Sequence, residues 1–162
     1  MGFLKPEHKR WIVWILRGAF LIYLFCLMYL MFLSERYGRA GGLGMYRYNL
    51  VPFQEIRRYF LHRDRLSFET FFINIYGNVL AFMPFGFLLP VISRKDRRFW
   101  SVFLLSAALT LTLETAQLIL QVGCFDVDDM ILNTAGGVLG YLLYKLSRWL
   151  LQRVEDRTIV GR

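Results

Sequence analysis

Charge is scarce in this chain. Of its 162 residues only 20% are charged, while 56% are hydrophobic and 17% aromatic. That balance points to an integral membrane protein of one domain, residues 1–162, rather than a soluble one. Cysteine is nearly absent. Cys26 falls inside the first apolar run and Cys124 beside an acidic cluster. With no CxxC and two thiols expected at different membrane depths, no disulfide is expected. There is no HExxH, no Ser/His/Asp set and no phosphate-cradling glycine loop. These absences remove the common metalloprotease, serine-hydrolase and nucleotide-binding schemes, and no cofactor or resident metal is expected. His62 stands alone in a basic run and reads as solvated, and Cys124 lacks the neighbouring histidine that a catalytic thiol uses.

The net charge of +8 does not point to nucleic acid. The basic residues lie in short runs between apolar segments, where lysine and arginine set membrane topology. Four apolar spans are expected, at residues 11–33, 71–92, 99–122 and 130–151. The first is preceded by Lys5, Lys9 and Arg10 but is too long for a signal-peptide core, so it reads as an uncleaved helix. Residues 34–70 form a long connection with glycines in its first half. Its second half carries a short basic amphipathic helix, with Pro52 in the first turn and Phe53, Ile56 and Phe60 on one face. The expected fold is therefore all-α, a bundle of four transmembrane helices plus this interfacial helix.

The polar oddities of the spans are the informative part. Phe125–Tyr141 reads FDVDDMILNTAGGVLGY, in which Asp126, Asp128 and Asp129 run into an apolar helix carrying Asn133, Gly136 and Gly140. Gly136 and Gly140 form a GxxxG packing pair, and Gly77 with Ala81 offers a small-residue face on the second span. Asn74 and Asn78 share a face at i, i+4. Ser106, Thr110, Glu114, Gln117 and Gln121 trace one stripe along the third span. A carboxyl such as Glu114 inside an apolar span must face a bundle interior or a wet cavity.

The short turn at Arg94–Arg98 holds four basic residues, and the turn at Gly123–Asp129 holds none. By the positive-inside rule both termini are cytoplasmic. The connection's seven arginines against four acids count less, because long loops vote weakly. Asn74, Asn78, Glu114, Gln117, Asp126, Asp128, Asp129 and Asn133 then fall at the outer leaflet, together with Arg47 and Asn49. The three aspartates have three readings. They hold a hard cation, they pair with Arg47, Arg57 or Arg58 and pin the outer loop, or they form a solvated turn. Asp129 also suits the first turn of the fourth helix, where the dipole favours an anion. Glu114 with Gln117 is either an acid/base or headgroup-binding pair, or a structural carboxyl bonded to Asn74, Asn78 or Asn133.

Several blocks together resemble one family. They are Arg47 with Asn49–Phe53, the run Asn74–Pro90, Glu114 with Gln117, and Phe125–Asp129 continuing through Asn133, Gly136 and Gly140. In order, over roughly residues 11–150, they are similar to the VanZ-like membrane proteins. The resemblance implies a multi-pass protein of the bacterial cytoplasmic membrane. Some members lower susceptibility to teicoplanin and related lipoglycopeptides. The implied partners are a membrane lipid, a lipid-linked envelope precursor or a lipoglycopeptide antibiotic. The functional expectation is a protein that binds or shields such an amphiphile through Arg47, Asn49, Asn74, Asn78, Glu114, Gln117, Asp126, Asp128, Asp129 and Asn133. The alternative is a membrane-embedded enzyme with Glu114 or Asp129 as acid/base, and a third reading is an assembly subunit whose polar set only locks helices.

Overall fold

A computed structural model of the protein describes residues 6–33, 47–93 and 97–160. The glycine-rich run 38–44 and most of the Arg94–Arg98 turn lie outside the described residues. The chain forms α1 (Pro6–Leu33), β1 (Tyr48–Asn49), α2 (Gln54–Leu61), α3 (Phe68–Ile92), α4 (Phe99–Leu120), β2 (Phe125–Asp126) and α5 (Val127–Val160). The all-α expectation holds but for one two-residue parallel bridge, in which Tyr48 pairs with Phe125 and Asn49 with Asp126.

Among the described residues three helices are long and apolar enough to cross a membrane: α1 over Trp11–Phe32, α3 over Phe68–Ile92 and α4 over Phe99–Leu120. The fourth expected span lies in α5, whose apolar run is diluted by Asn133, Gly136, Gly137, Gly140 and Lys145. At about 1.5 Å per residue its 34 residues reach about 51 Å, more than a bilayer core needs.

The core gathers residues from all four long helices. Leu27 and Met31 of α1 meet Phe82 of α3 and Leu113 of α4, while Phe85, Leu89, Val102, Tyr141 and Tyr144 form a second cluster. Tyr23 of α1 donates to the Ala81 carbonyl at 2.7 Å, beside the turn that Pro84 loosens by removing an N–H. Ala81 packs against the cluster that holds Leu27 and Met31 of α1.

The α5 glycines make the closest helix contact. A Cβ on Gly136 would sit 2.2 Å from the Val79 carbonyl oxygen, and one on Gly140 would sit 2.0 Å from that of Met83. Gly86 and Gly137 also meet backbone to backbone, and a Cβ on Gly137 would strike Ser106 Oγ at 2.1 Å. The GxxxG seam thus presses on α3, while the neighbouring Gly137 lets α4 approach. Position 79 lies near 136 and 83 near 140, so α3 and α5 run parallel. Thr110 meets Asn133 and Ser106 meets Gly137, so α4 runs antiparallel to α5.

Other details depart from the sequence reading. Ile73–Gly77 forms a π-helical turn inside α3. Asn78 is buried, while Asn74 is half-buried and its side chain bonds back to the Thr70 carbonyl at 2.7 Å. Gln121 does not extend the α4 stripe. It closes the helix in the left-handed region at φ 54° and is exposed. Pro52 precedes α2 and does not enter its first turn, and Phe53 occupies the left-handed region at φ 65° ahead of Gln54. Phe53 therefore leaves the helix face on which Ile56 and Phe60 lie, and Phe60 packs edge-on against Phe71 with centroids 5.3 Å apart.

Gly136→Ala and Gly140→Ala should each lower stability by about 1–3 kcal/mol, because a methyl group there meets backbone that cannot rotate away. Gly18→Ala has open space around its Cβ and should be neutral or slightly stabilising. Thermal melts of the three purified variants in detergent check the contrast.

Candidate functional site

The end of the bundle that gathers the C-termini of α1 and α4 with the N-termini of α3 and α5 carries most of the polar candidates. Backbone N–H groups dictate its construction. A helix leaves its first amides without partners, and such groups are costly when removed from water. At the start of α2 the residue in the capping position is Phe53, whose side chain accepts nothing. Asp128 supplies the missing acceptor from the far side of the sequence. One carboxylate oxygen accepts from Phe53 N. The other accepts from Glu55 N at 2.7 Å and Ile56 N at 3.0 Å. Asp128 is only 1% exposed, so these bonds form where water does not compete.

The neighbouring carboxylates divide the remaining tasks. Asp126 Oδ1 accepts from Asp128 N at 2.8 Å, which caps α5 itself, and from Asn49 Nδ2 at 3.0 Å. Asp126 N donates to Glu114 Oε2 at 2.9 Å, which fixes the turn on α4. Asn49 Oδ1 accepts from Val51 N at 3.1 Å, and Phe125 N donates to the Arg47 carbonyl at 3.0 Å. Asp129 Oδ1 accepts from Asn78 Nδ2 at 2.6 Å, tying α5 to α3.

Arg47, Asn49, Glu114, Asp126 and Asp128 thus form one connected group, and the Asn78–Asp129 pair stands beside it. Gln117 turns to α1 and donates to the Met31 carbonyl at 2.7 Å. Asn133 lies deeper and donates to Thr110 Oγ1 at 2.9 Å. The Asn74 side chain bonds to the Thr70 carbonyl instead, and only its backbone carbonyl reaches the pair, accepting from Asn78 Nδ2 at 3.5 Å. The Glu114 bond goes to a backbone amide and not to the side chain of Asn74, Asn78 or Asn133. The expected guanidinium pairing is replaced as well. Among the described residues no ion pair joins Arg47, Arg57 or Arg58 to the three aspartates, and Arg58 pairs instead with Glu55 of its own helix. Also among the described residues, no three carboxylate, histidine or cysteine side chains are gathered to hold a metal ion.

Among the described residues a depression of about 500 Å³ lies beside this group, lined by Arg47, Tyr48, Asn49, Gln54, Glu55 and Cys124. Tyr48, Gln54, Glu55 and Cys124 were not selected as binding residues from sequence. The parallel bridge and the docking of α2 bring them together, and neither leaves a periodic signature. Burial pushes the Asp126 carboxyl above the ordinary carboxylate range, against the pull of the Asp128 amide and the Asn49 side chain. Burial raises Glu55 too, with Arg58 opposing and Asp126 and Asp128 reinforcing. The Cys124 thiol is raised by burial and by Asp126, and lowered by Arg47.

The family model described as VanZ/LLP1 matches residues 20–149 of this chain. Among curated proteins, Protein VanZ of Enterococcus faecium is 33% identical over 147 residues, covering 89% of this chain and 83% of that protein. No solved structure matches.

Two outcomes test this geometry. Asp128→Asn keeps one acceptor oxygen and loses the other, so α2 should undock at a cost of about 1–3 kcal/mol. Amide exchange at residues 53–56 should then accelerate, while the amides of α3 stay protected. The raised Asp126 and Glu55 mean that the folded state binds more protons than the unfolded chain between the ordinary carboxylate range and their raised values. Stability should therefore rise as pH falls through that window and decline as pH climbs. Asp126→Asn should flatten that slope in melts across the mildly acid range.

Proposed function

This chain belongs to the VanZ/LLP1 family, and from that membership we propose that it is a multi-pass protein of the bacterial cytoplasmic membrane that binds a cell-envelope amphiphile. In this reading α1, α3, α4 and the apolar part of α5 cross the bilayer, with both termini cytoplasmic. The acidic end of the bundle then faces outward, and α2 lies at the interface. The family resemblance extends the proposal to lowered susceptibility to teicoplanin-type lipoglycopeptides, through binding or shielding of their membrane target or of the drug itself.

One observation carries this reading. The buried carboxylates are occupied as structural acceptors, whereas the depression beside them presents charged and polar groups next to exposed Leu50, Val51 and Phe53. A polar recess with an apolar margin suits a headgroup with its hydrocarbon alongside. The acid/base alternative has less support. Glu114 is 2% exposed and its carboxylate is engaged by Asp126 N, and the Asp129 carboxylate is engaged by Asn78.

Arg47→Gln should retain folded yield and lower the tolerated teicoplanin concentration by about tenfold, the equivalent of ~1.4 kcal/mol of binding. Glu114→Gln should reduce folded yield first. An impermeant thiol reagent applied to intact cells carrying Cys26→Ser should label Cys124. Labelling only after permeabilisation would place the depression in the cytoplasm and sink the proposal. A chemically altered lipid or drug recovered only with intact protein would favour the enzyme.

A further inference from the structure

The depression is lined by side chains of both charges. Arg47 is exposed, its charge acts on Cys124, and among the described residues no carboxylate pairs with it. Glu55, at the start of α2, brings the opposite charge to the same lining. Burial, with Asp126 and Asp128 nearby, raises its carboxyl, and Arg58 of the same helix pairs with it. Gln54 and Tyr48 add a neutral amide and a phenol at the margin.

A purely anionic headgroup would meet Arg47 and then face the carboxylates. A purely cationic one would meet the reverse. Like-charge contact of this kind discriminates more sharply than the attractive contact favours. Resting on the binding role proposed above, we infer that the depression recognises a zwitterionic headgroup, with its anion on Arg47 and a primary ammonium on Glu55. The ammonium is specified because a carboxylate takes up N–H donors, which a quaternary amine lacks. Exposed Leu50, Val51 and Phe53 give such a headgroup's acyl chain a place to lie. The same chemistry could arrive as a phospholipid headgroup or as a free amino phosphate.

Cys124 lines the depression and its thiol is free, so it reports occupancy. The test uses the full chain with Cys26→Ser in nanodiscs of phosphatidylglycerol alone, and follows Cys124 alkylation by a small maleimide. Free O-phosphoethanolamine should slow alkylation by about tenfold at an occupancy near nine-tenths. Glycerol phosphate and ethylamine at the same concentration should leave the rate unchanged. Each rate is taken as a ratio with and without the probe, because Arg47→Gln and Glu55→Gln alter the thiol itself. Both variants should lose protection, and intact amide protection in the α3 core shows that they are folded.

A second arm replaces part of the phosphatidylglycerol with phosphatidylethanolamine. Protection there and not by the free probe assigns the site to the lipid headgroup; protection by both assigns it to the headgroup chemistry in either form. Equal protection by glycerol phosphate, or protection that survives Glu55→Gln, would overturn the zwitterion assignment while leaving a binding site in place. No protection by any of these probes or lipids, with Cys124 still reactive, would overturn the zwitterion assignment. If teicoplanin then also gave none, the binding role would fall with it.

Discussion

The end of the bundle depends on the bond between a buried carboxylate and the unpaired amides of a helix terminus. A helix that starts inside a poorly hydrated site exposes N–H groups that water cannot reach, and each needs an acceptor. Asp128 meets that need for α2 across more than seventy residues of sequence, Asp126 meets it for α5, and Glu114 holds the backbone between them. The same bonds explain why three aspartates and a glutamate coexist without guanidinium partners among the described residues. Oriented amides and the helix dipole supply positive potential that is fixed in place. Unlike an arginine side chain, they lose no rotamer freedom when they bond.

These acceptors are in the right place because the glycines put them there. Gly136 and Gly140 allow α5 to run against the backbone of Val79 and Met83 in one register, and Gly137 admits Ser106 from α4. With those contacts set, Asp129 arrives at Asn78 and the α5 N-terminus arrives beneath α2. A slip of one residue along α5 would rotate its face by about 100°. Asp128 would then point away from the amides of α2. The acidic and the glycine-rich halves of FDVDDMILNTAGGVLGY are therefore one device, in which the seam aims and the carboxylates fasten.

Much of this was legible in residue spacing. The α4 stripe through Ser106, Thr110, Glu114 and Gln117 is buried as its period implies, and the apolar runs of α1, α3 and α4 form long helices. The partner of Asp128 was not legible, because a backbone amide has no side chain to mark it. The arginines of α2 drew the pairing argument instead, since they were the visible cations. The π-turn in α3 was hidden because Ile73–Gly77 contains nothing that forbids an ordinary turn. The β1–β2 bridge was hidden because two residues are too few for alternation to show. The residues of the depression were missed for the same reason, since Tyr48, Gln54, Glu55 and Cys124 converge only after the bridge and the α2 cap exist.

This division into fastening and presenting residues changes how loss of function should be interpreted. Asn49, Asp126 and Asp128 hold the segment that carries Arg47, Gln54 and Glu55. A substitution in either group can abolish the same phenotype. The routes differ physically. A fastening residue acts by letting α2 leave, so its loss appears first in amide exchange at the α2 N-terminus and affects every ligand alike. Under the proposed binding role, a presenting residue would act on one part of the ligand, so its loss would leave exchange unchanged and alter the ranking among headgroups. A polar residue in the VanZ/LLP1 blocks is therefore not a ligand contact merely because activity needs it. Asp128 shows why: it is buried, and both of its oxygens accept from amides at the start of α2.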